Sequence, residues 1–222
     1  PGVEINTDVP HGEVHILGYF IDYHHPELVR NLETLRVSRE DRAQGMIAKL
    51  GDLGIHIEWQ RVRELAGGES VGRPHVAQAM LEKGHIANLK EAFDKYIGRD
   101  GPAYVERHKL SPDEAVALVA KASGLPVLAH PADIEDLPAM VLRLRTQGLV
   151  GLEAYYASYG TGTVSRLVQL AKKHGLIATG GSDYHGPGLA AEVELGMVEV
   201  PREAGERLIA RAQHRRQEAR AK

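Results

Sequence analysis

LPVLAHPADIEDLPAMVLRLRTQGLVGLEAYY, Leu125 to Tyr156, decides the fold. Leu125 to Pro131 is a short, continuous apolar run, the mark of a strand buried on both faces. Ile134 to Gln147 carries helical spacing, and Leu149 to Tyr156 is a second apolar run. Strand, helix, strand is one βα unit, and the pattern continues downstream. Thr161 to His174 reads as a helix stopped by Gly175, and LIATGG, Leu176 to Gly181, as a third strand. Upstream, Ser111 caps a helix with Pro112 at its first position and Glu114 closing a capping box, and Gly124 ends it. The repeat of about 25 residues predicts an α/β fold with parallel strands. A last strand is expected over Val193 to Val200, then a helix from Arg202 into a polar, basic tail.

Before that core the pattern changes. Val3–Val9 and Val14–Asp22, joined by PHGE, predict adjacent strands, with Val14, Ile16, Gly18 and Phe20 on one face and His15, Leu17, Tyr19 and Ile21 on the other. Pro26 to Gly101 is mostly helical: Pro26–Leu53, Glu58–Leu65, a helix opened by Pro74, and Asn88–Tyr96, with the loop GGESVG between. This stretch reads as an insert. The expected division is therefore 1–25, 26–101 and 102–222.

Composition narrows the function classes. A formal charge of -3 gives no electrostatic case for bulk DNA binding, though it leaves room for a local basic pocket. The absence of cysteine excludes disulfides and thiolate metal sites. No apolar run approaches the roughly 20 residues of a membrane span, so the cytoplasm is the default location. The chain opens at Pro1 directly on a turn and a strand, which reads as a chain whose upstream portion is absent.

The polar residues fall where such a fold binds ligands. His130 ends the first strand of the repeat, Glu153 and Tyr155 lie near the end of the second, and Asp183 and His185 follow the third in GGSDYHG. Ligands of parallel βα folds sit at the carboxyl ends of strands. Imidazole and carboxylate are the donors that zinc, manganese and ferrous iron take when no thiolate is at hand. Glu4 and His15, on the first two strands, are candidates for the same rim. In GRPHVA, Arg73 stands beside a helix N-terminus, a setting suited to an anion, and His75 is either a phosphate donor, a proton shuttle or an ordinary capping residue. Tyr155 and Tyr156 either wall a substrate pocket that stacks a base or pack a rim loop.

Taken in order, GVEI (Gly2–Ile5), HILGYFID (His15–Asp22), GRPHVA, LAHP and GSDYHG resemble the PHP family, the polymerase and histidinol phosphatase superfamily. The likeness is to its stand-alone phosphoesterases, which act on nucleoside 3',5'-bisphosphates and on short RNA from the 5' end. The resemblance implies a distorted (β/α)7 barrel with a helical insert and two or three divalent ions, manganese, iron or zinc. It implies Glu4, His15, His130, Asp183 and His185 as metal ligands and Arg73 and His75 as substrate-phosphate contacts. The implied partners are a phosphorylated small molecule, a nucleotide or a short RNA. The family's opening His-x-His strand and its TDHD-like stretch would lie before Pro1. A chain without those first βα units exposes strand edges, a route to oligomers. An amidohydrolase-like metal hydrolase and an inactive, truncated module are the other classes the residues allow.

Overall fold

The structure, a computed structural model, describes residues 1–9, 12–68, 70–184 and 194–220. It divides into two compact units, one of Pro1–Leu28 with Lys109–Lys222 and one of Val29–His108.

The first unit begins with β1 (Gly2–Val9) and β2 (Gly12–Tyr19), paired antiparallel with Asn6 opposite His15 and Glu4 opposite Leu17. Alternation sorts the faces as the sequence predicts: Ile5, Thr7, Val14, Ile16 and Gly18 are buried, while Asn6, His15 and Leu17 are half-buried. The alternation fails after Tyr19, because Phe20 turns the chain at φ 56° and Ile21 goes into the core. α1 (Pro26–Asp52) follows as one continuous helix, and the division between the units falls inside it.

In the second unit, α2 (Trp59–Leu65), α3 (Arg73–Glu82) and α4 (Leu89–Ala92) are joined by short loops, and α4 runs into a π-helical turn, Phe93–Ile97. Met46, Leu50, Val62, Val76, Met80 and Ile97 form a core of this unit's own. Helices with one apolar stripe need such a shared core, since short helices are marginal alone in water.

The first unit resumes with α5 (Pro112–Lys121). Ser111 Oγ accepts the Glu114 N–H, and the Glu114 carboxylate accepts the Ser111 N–H, the reciprocal cap the sequence predicts. Then come β3 (Leu125–Leu128), α6 (Leu137–Thr146), β4 (Gly151–Tyr156), α7 (Thr161–Lys173), β5 (Ile177–Gly181) and α8 (Arg202–Arg220). α6 starts three residues later than Ile134, because Pro131–Asp133 forms a 3-10 turn and Asp136 takes a left-handed φ of 48°.

The strands lie in the order β1-β2-β3-β4-β5, with β2 antiparallel to β3 and the βα repeat β3-β4-β5 parallel. Among the described residues this is an open, mixed sheet flanked by helices rather than a closed barrel. No strand forms over 194–200. Met197 N–H donates to Glu194 O in a turn, and Gly196 sits at φ 82°, outside the strand region. α8 packs back on the sheet, Leu208 and Ala212 burying against Leu125, Val127 and Ile177. Arg215 then fixes α8 to the end of α5 by donating to Ala120 O and Gly124 O at 2.8 and 2.6 Å.

Candidate metal centre

Pleat and register build the centre. Asn6 faces His15 across the hairpin, and Glu4 lies two positions along the same face of β1. The Ala129 N–H donates to His15 O, drawing the end of β3 against β2 and placing His130 beside His15. Glu4 Oε1, His15 Nδ1 and His130 Nε2 form a triangle with sides of 2.7, 3.1 and 3.7 Å. Among the described residues, these three alone converge as a potential metal site. Donors about 2.0–2.1 Å from a common ion at tetrahedral angles lie roughly 3.3 Å apart. Both the spacing and the all N/O donor set therefore fit a divalent cation.

His130 carries φ 24° and Asp183 φ 53°, conformations that non-glycine residues adopt at a cost. The His130 turn is held from below by Glu153, whose Oε2 accepts the His130 N–H at 2.8 Å. Burial pushes the Glu153 carboxyl up to about 7, against the pull of that hydrogen bond. Gly181 gives the Glu153 carboxylate room, because a Cβ at that position would lie 3.0 Å from Glu153 Oε1.

Around His15 runs a chain of polar contacts. Asn6 Nδ2 lies 2.8 Å from His15 Nε2 and donates to Glu13 Oε2 at 2.8 Å. Lys109 Nζ donates to Glu13 Oε1 at 2.6 Å and to Asp8 Oδ1 at 2.8 Å, with its side chain only 4% exposed. Glu13 Oε2 is itself 4.0 Å from His15 Nε2, so the Asn6 amide spans the gap. Burial pulls the His15 imidazole down, but the Glu13 and Glu4 carboxylates outweigh it and hold it at about 9. His130 and His15 hold the Glu4 carboxyl well below its usual range, and Glu4 in turn raises His130.

The other expected site residues divide. Asp183 is one side chain away from the triangle: its Oδ2 accepts Tyr156 Oη at 2.9 Å, and the Tyr156 ring lies 5.6 Å from that of His130. His185 lies outside the described residues. Tyr155, Tyr156 and Tyr159 line a cavity of about 540 Å³ beyond Asp183, with Val164 and Met197. Arg73 and His75 belong to the second unit. There Arg73 lies 5.6 Å over the Phe93 ring, and His75 Nδ1 accepts the Gly72 N–H at 3.0 Å. That donation puts the neutral ring's proton on Nε2.

Sequence reasoning placed Glu153 near a strand end without giving it a role, and did not single out Asn6, Glu13 or Lys109. An acid inside the apolar run LVGLEAYY was a readable signal, since a buried carboxylate needs a partner. The Lys109 link spans more than ninety residues and leaves no mark in local pattern.

No family model matches the chain. It is 30% identical over 192 residues to a 3',5'-nucleoside bisphosphate phosphatase of Chromobacterium violaceum, covering 84% of this chain and 67% of that protein. It is 31% identical over 201 residues to a 5'-3' exoribonuclease of Salmonella typhimurium, covering 88% and 68%. Among solved structures it matches one described as a metal-dependent phosphoesterase from Bifidobacterium adolescentis, with TM-score 0.80 and 27% identity, over 95% of this chain and 75% of that one. It also matches an amidohydrolase from Chromobacterium violaceum, solved with bound sulfate and no metal, with TM-score 0.78 and 29% identity, over 95% and 76%. A chain this similar to such enzymes across two thirds or more of their length, and folded as they are, belongs with them: it is a member of a family of metal-dependent phosphoesterases and related hydrolases.

Proposed function

We propose that the chain is a PHP-type phosphoesterase that hydrolyses phosphate monoesters of nucleotides or short RNA from its 5' end. Its sheet would be part of a distorted (β/α)7 barrel, and residues 26–101 a mostly helical insert. The converging Glu4, His15 and His130 carry this reading, and the relatives' names supply its substrate class: a nucleoside 3',5'-bisphosphate and RNA at its 5' end. Asp183 and His185, which close the strand-end set in the sequence, complete the ligands for more than one ion.

Glu4, His15 and His130 would hold a divalent cation, which would supply Lewis-acid polarisation of a phosphoryl oxygen and a bound water of lowered pKa as nucleophile. The chain's own residues hold that site in place. The Glu13 carboxylate stands behind His15 Nε2, Glu153 holds the His130 main chain, and Tyr156 Oη holds Asp183. Arg73 offers a guanidinium to a non-bridging oxygen or to a second phosphate, and His75 an Nε2–H donor. The Tyr155–Tyr156 wall receives the base. The leaving alkoxide takes up one proton and departs as the free hydroxyl.

The test is turnover of a nucleoside 3',5'-bisphosphate, a 5'-phosphorylated oligoribonucleotide and a simple amide by the manganese-loaded chain. Phosphate release from the bisphosphate or nucleotide release from the oligoribonucleotide, abolished by chelator, is the expected result. Turnover of the amide alone would overturn the reading in favour of an amidohydrolase. Replacing His75 with alanine should lower kcat/KM without loss of metal, and an unchanged kcat/KM removes His75 from the site.

A further inference from the structure

The opposite ends of β4 and β5 hold a second feature. A groove of about 630 Å³ runs between the turns that precede these strands and one face of α8. Its cationic and imidazole side chains are Arg145, His174, Arg207, Arg211 and His214. Arg207, Arg211 and His214 stand at i, i+4 and i+7, so they share one side of α8. Leu208 and Ala212, buried against the sheet, and the clamp of Arg215 on α5 hold that side in place.

The charge in the groove lacks a counterpart. Among the described residues, Arg145, Arg207 and Arg211 have no ion pair or hydrogen bond. His214 is already paired with Glu218 at 3.2 Å. The C-termini of α6 and α7 also face this end, each contributing about half a negative charge. Together that is about one negative charge against three guanidiniums, so roughly two positive charges remain uncompensated. His174 Nε2 is buried and has no hydrogen-bond partner among the described residues, an orphan that buried polar atoms rarely remain. Guanidiniums are suited to phosphate by their planar, bidentate geometry.

We propose that this groove is a second anion site, for a ligand carrying several phosphate groups, set apart from the metal centre along β4, whose Gly151 end adjoins the groove and whose Glu153 holds His130. The ligand is either a free polyphosphorylated molecule or the backbone of a single-stranded RNA, which present the same chemistry.

The experiment is calorimetric titration of the metal-loaded chain with inorganic tripolyphosphate and, separately, with a short single-stranded RNA. The chains are the unaltered protein, Arg207→Gln/Arg211→Gln and His130→Ala. The double variant should bind at least one probe about tenfold or more weaker, whereas His130→Ala should keep that binding. Loss for both probes identifies any polyphosphate as ligand, and loss for RNA alone identifies the nucleic-acid backbone. RNA affinity of the unaltered chain should fall roughly 18-fold between about 50 and 200 mM salt if three phosphates are neutralised. The double variant should show a shallower slope. Binding untouched by the double variant, or lost only in His130→Ala, overturns the proposal. Turnover of a small phosphomonoester by the double variant should stay within about twofold of the unaltered chain, so a failure of the catalytic reading would appear separately. Should the double variant not fold, Arg145→Gln carries the same expectation.

Discussion

At one end of β4 and β5 the chain gathers Glu4, Glu13, Glu153 and Asp183 around His15 and His130; at the other it gathers Arg145, Arg207 and Arg211. The acidic end is knit together. Its carboxylates accept from imidazole, amide, ammonium or phenol groups at 2.6 to 2.9 Å. The basic end is open, its guanidiniums held apart on α6 and α8. Cancellation between such ends is why a formal charge of -3 reveals nothing about either. A knit cluster is what a cation site requires, because each donor must be fixed before the ion arrives. An open row of cations suits a ligand that brings its own geometry.

The sharpest way to break the contrast is at the acidic end. His130→Ala removes one corner of the triangle and should cost more than roughly 100-fold in metal affinity, beyond what loss of an outer partner costs. Metal titration by calorimetry checks this, and unchanged affinity would place the site elsewhere. Glu13→Gln keeps the shape of the Asn6 bridge and removes the carboxylate behind His15, and should weaken metal binding by about 10- to 100-fold. Lys109→Met acts on the fold as well, because it leaves Asp8 and Glu13 facing each other without their shared cation. Removing one partner of a fully buried pair costs roughly 3–5 kcal/mol. With Asp8 and Glu13 still 33% exposed, about 2–3 kcal/mol is expected, measured by urea denaturation.

The same contrast explains what the sequence made legible. The βα repeat, the hairpin faces and the Ser111 cap are set by neighbours in the chain, and they formed where local pattern put them apart from the late start of α6 and the turn at Phe20. His15 and His130 stood out because they end or interrupt apolar runs. What local pattern could not specify depended on side chains meeting across long separations. Lys109 reaches Asp8 and Glu13, Glu153 reaches the His130 main chain, and β2 pairs antiparallel with β3. Glu194–Val200 shows the reverse error. Its Val and Glu alternation imitates a strand, but Gly196 at φ 82° turns it. The basic groove was missed because α8 reads as a solvated helix until its partners are known.

Protons compete with the cation at the acidic end. In the metal-free chain His15 is held at about 9, so it is charged at neutral pH, while Glu4, held low, is already ionised. A raised pKa favours the charged imidazole below about 9, and a metal that takes Nδ1 must displace that proton. Metal affinity should therefore rise with pH, by up to about tenfold per unit for each proton displaced, and level off near pH 9. Calorimetry in buffers of different ionisation enthalpy counts the protons released. A flat profile between pH 6 and 9 would remove His15 from the ligand set.

The smallest expected effect lies at the basic end and sharpens the comparison there. Glu218 pairs with His214 at the edge of the groove, and both side chains are about 60% exposed. Exposed pairs contribute little to stability, so Glu218→Gln should leave the melting temperature almost unchanged. It still removes a negative charge near the anion site. At a separation of about 10 Å in water, each unit of ligand charge is worth roughly 0.4 kcal/mol, so tripolyphosphate affinity should gain about twofold or more at low salt. That gain should fade above about 0.1 M salt, where the screening length falls to about 10 Å. A gain that survives high salt would mean that Glu218 had blocked the groove by its bulk rather than by its charge.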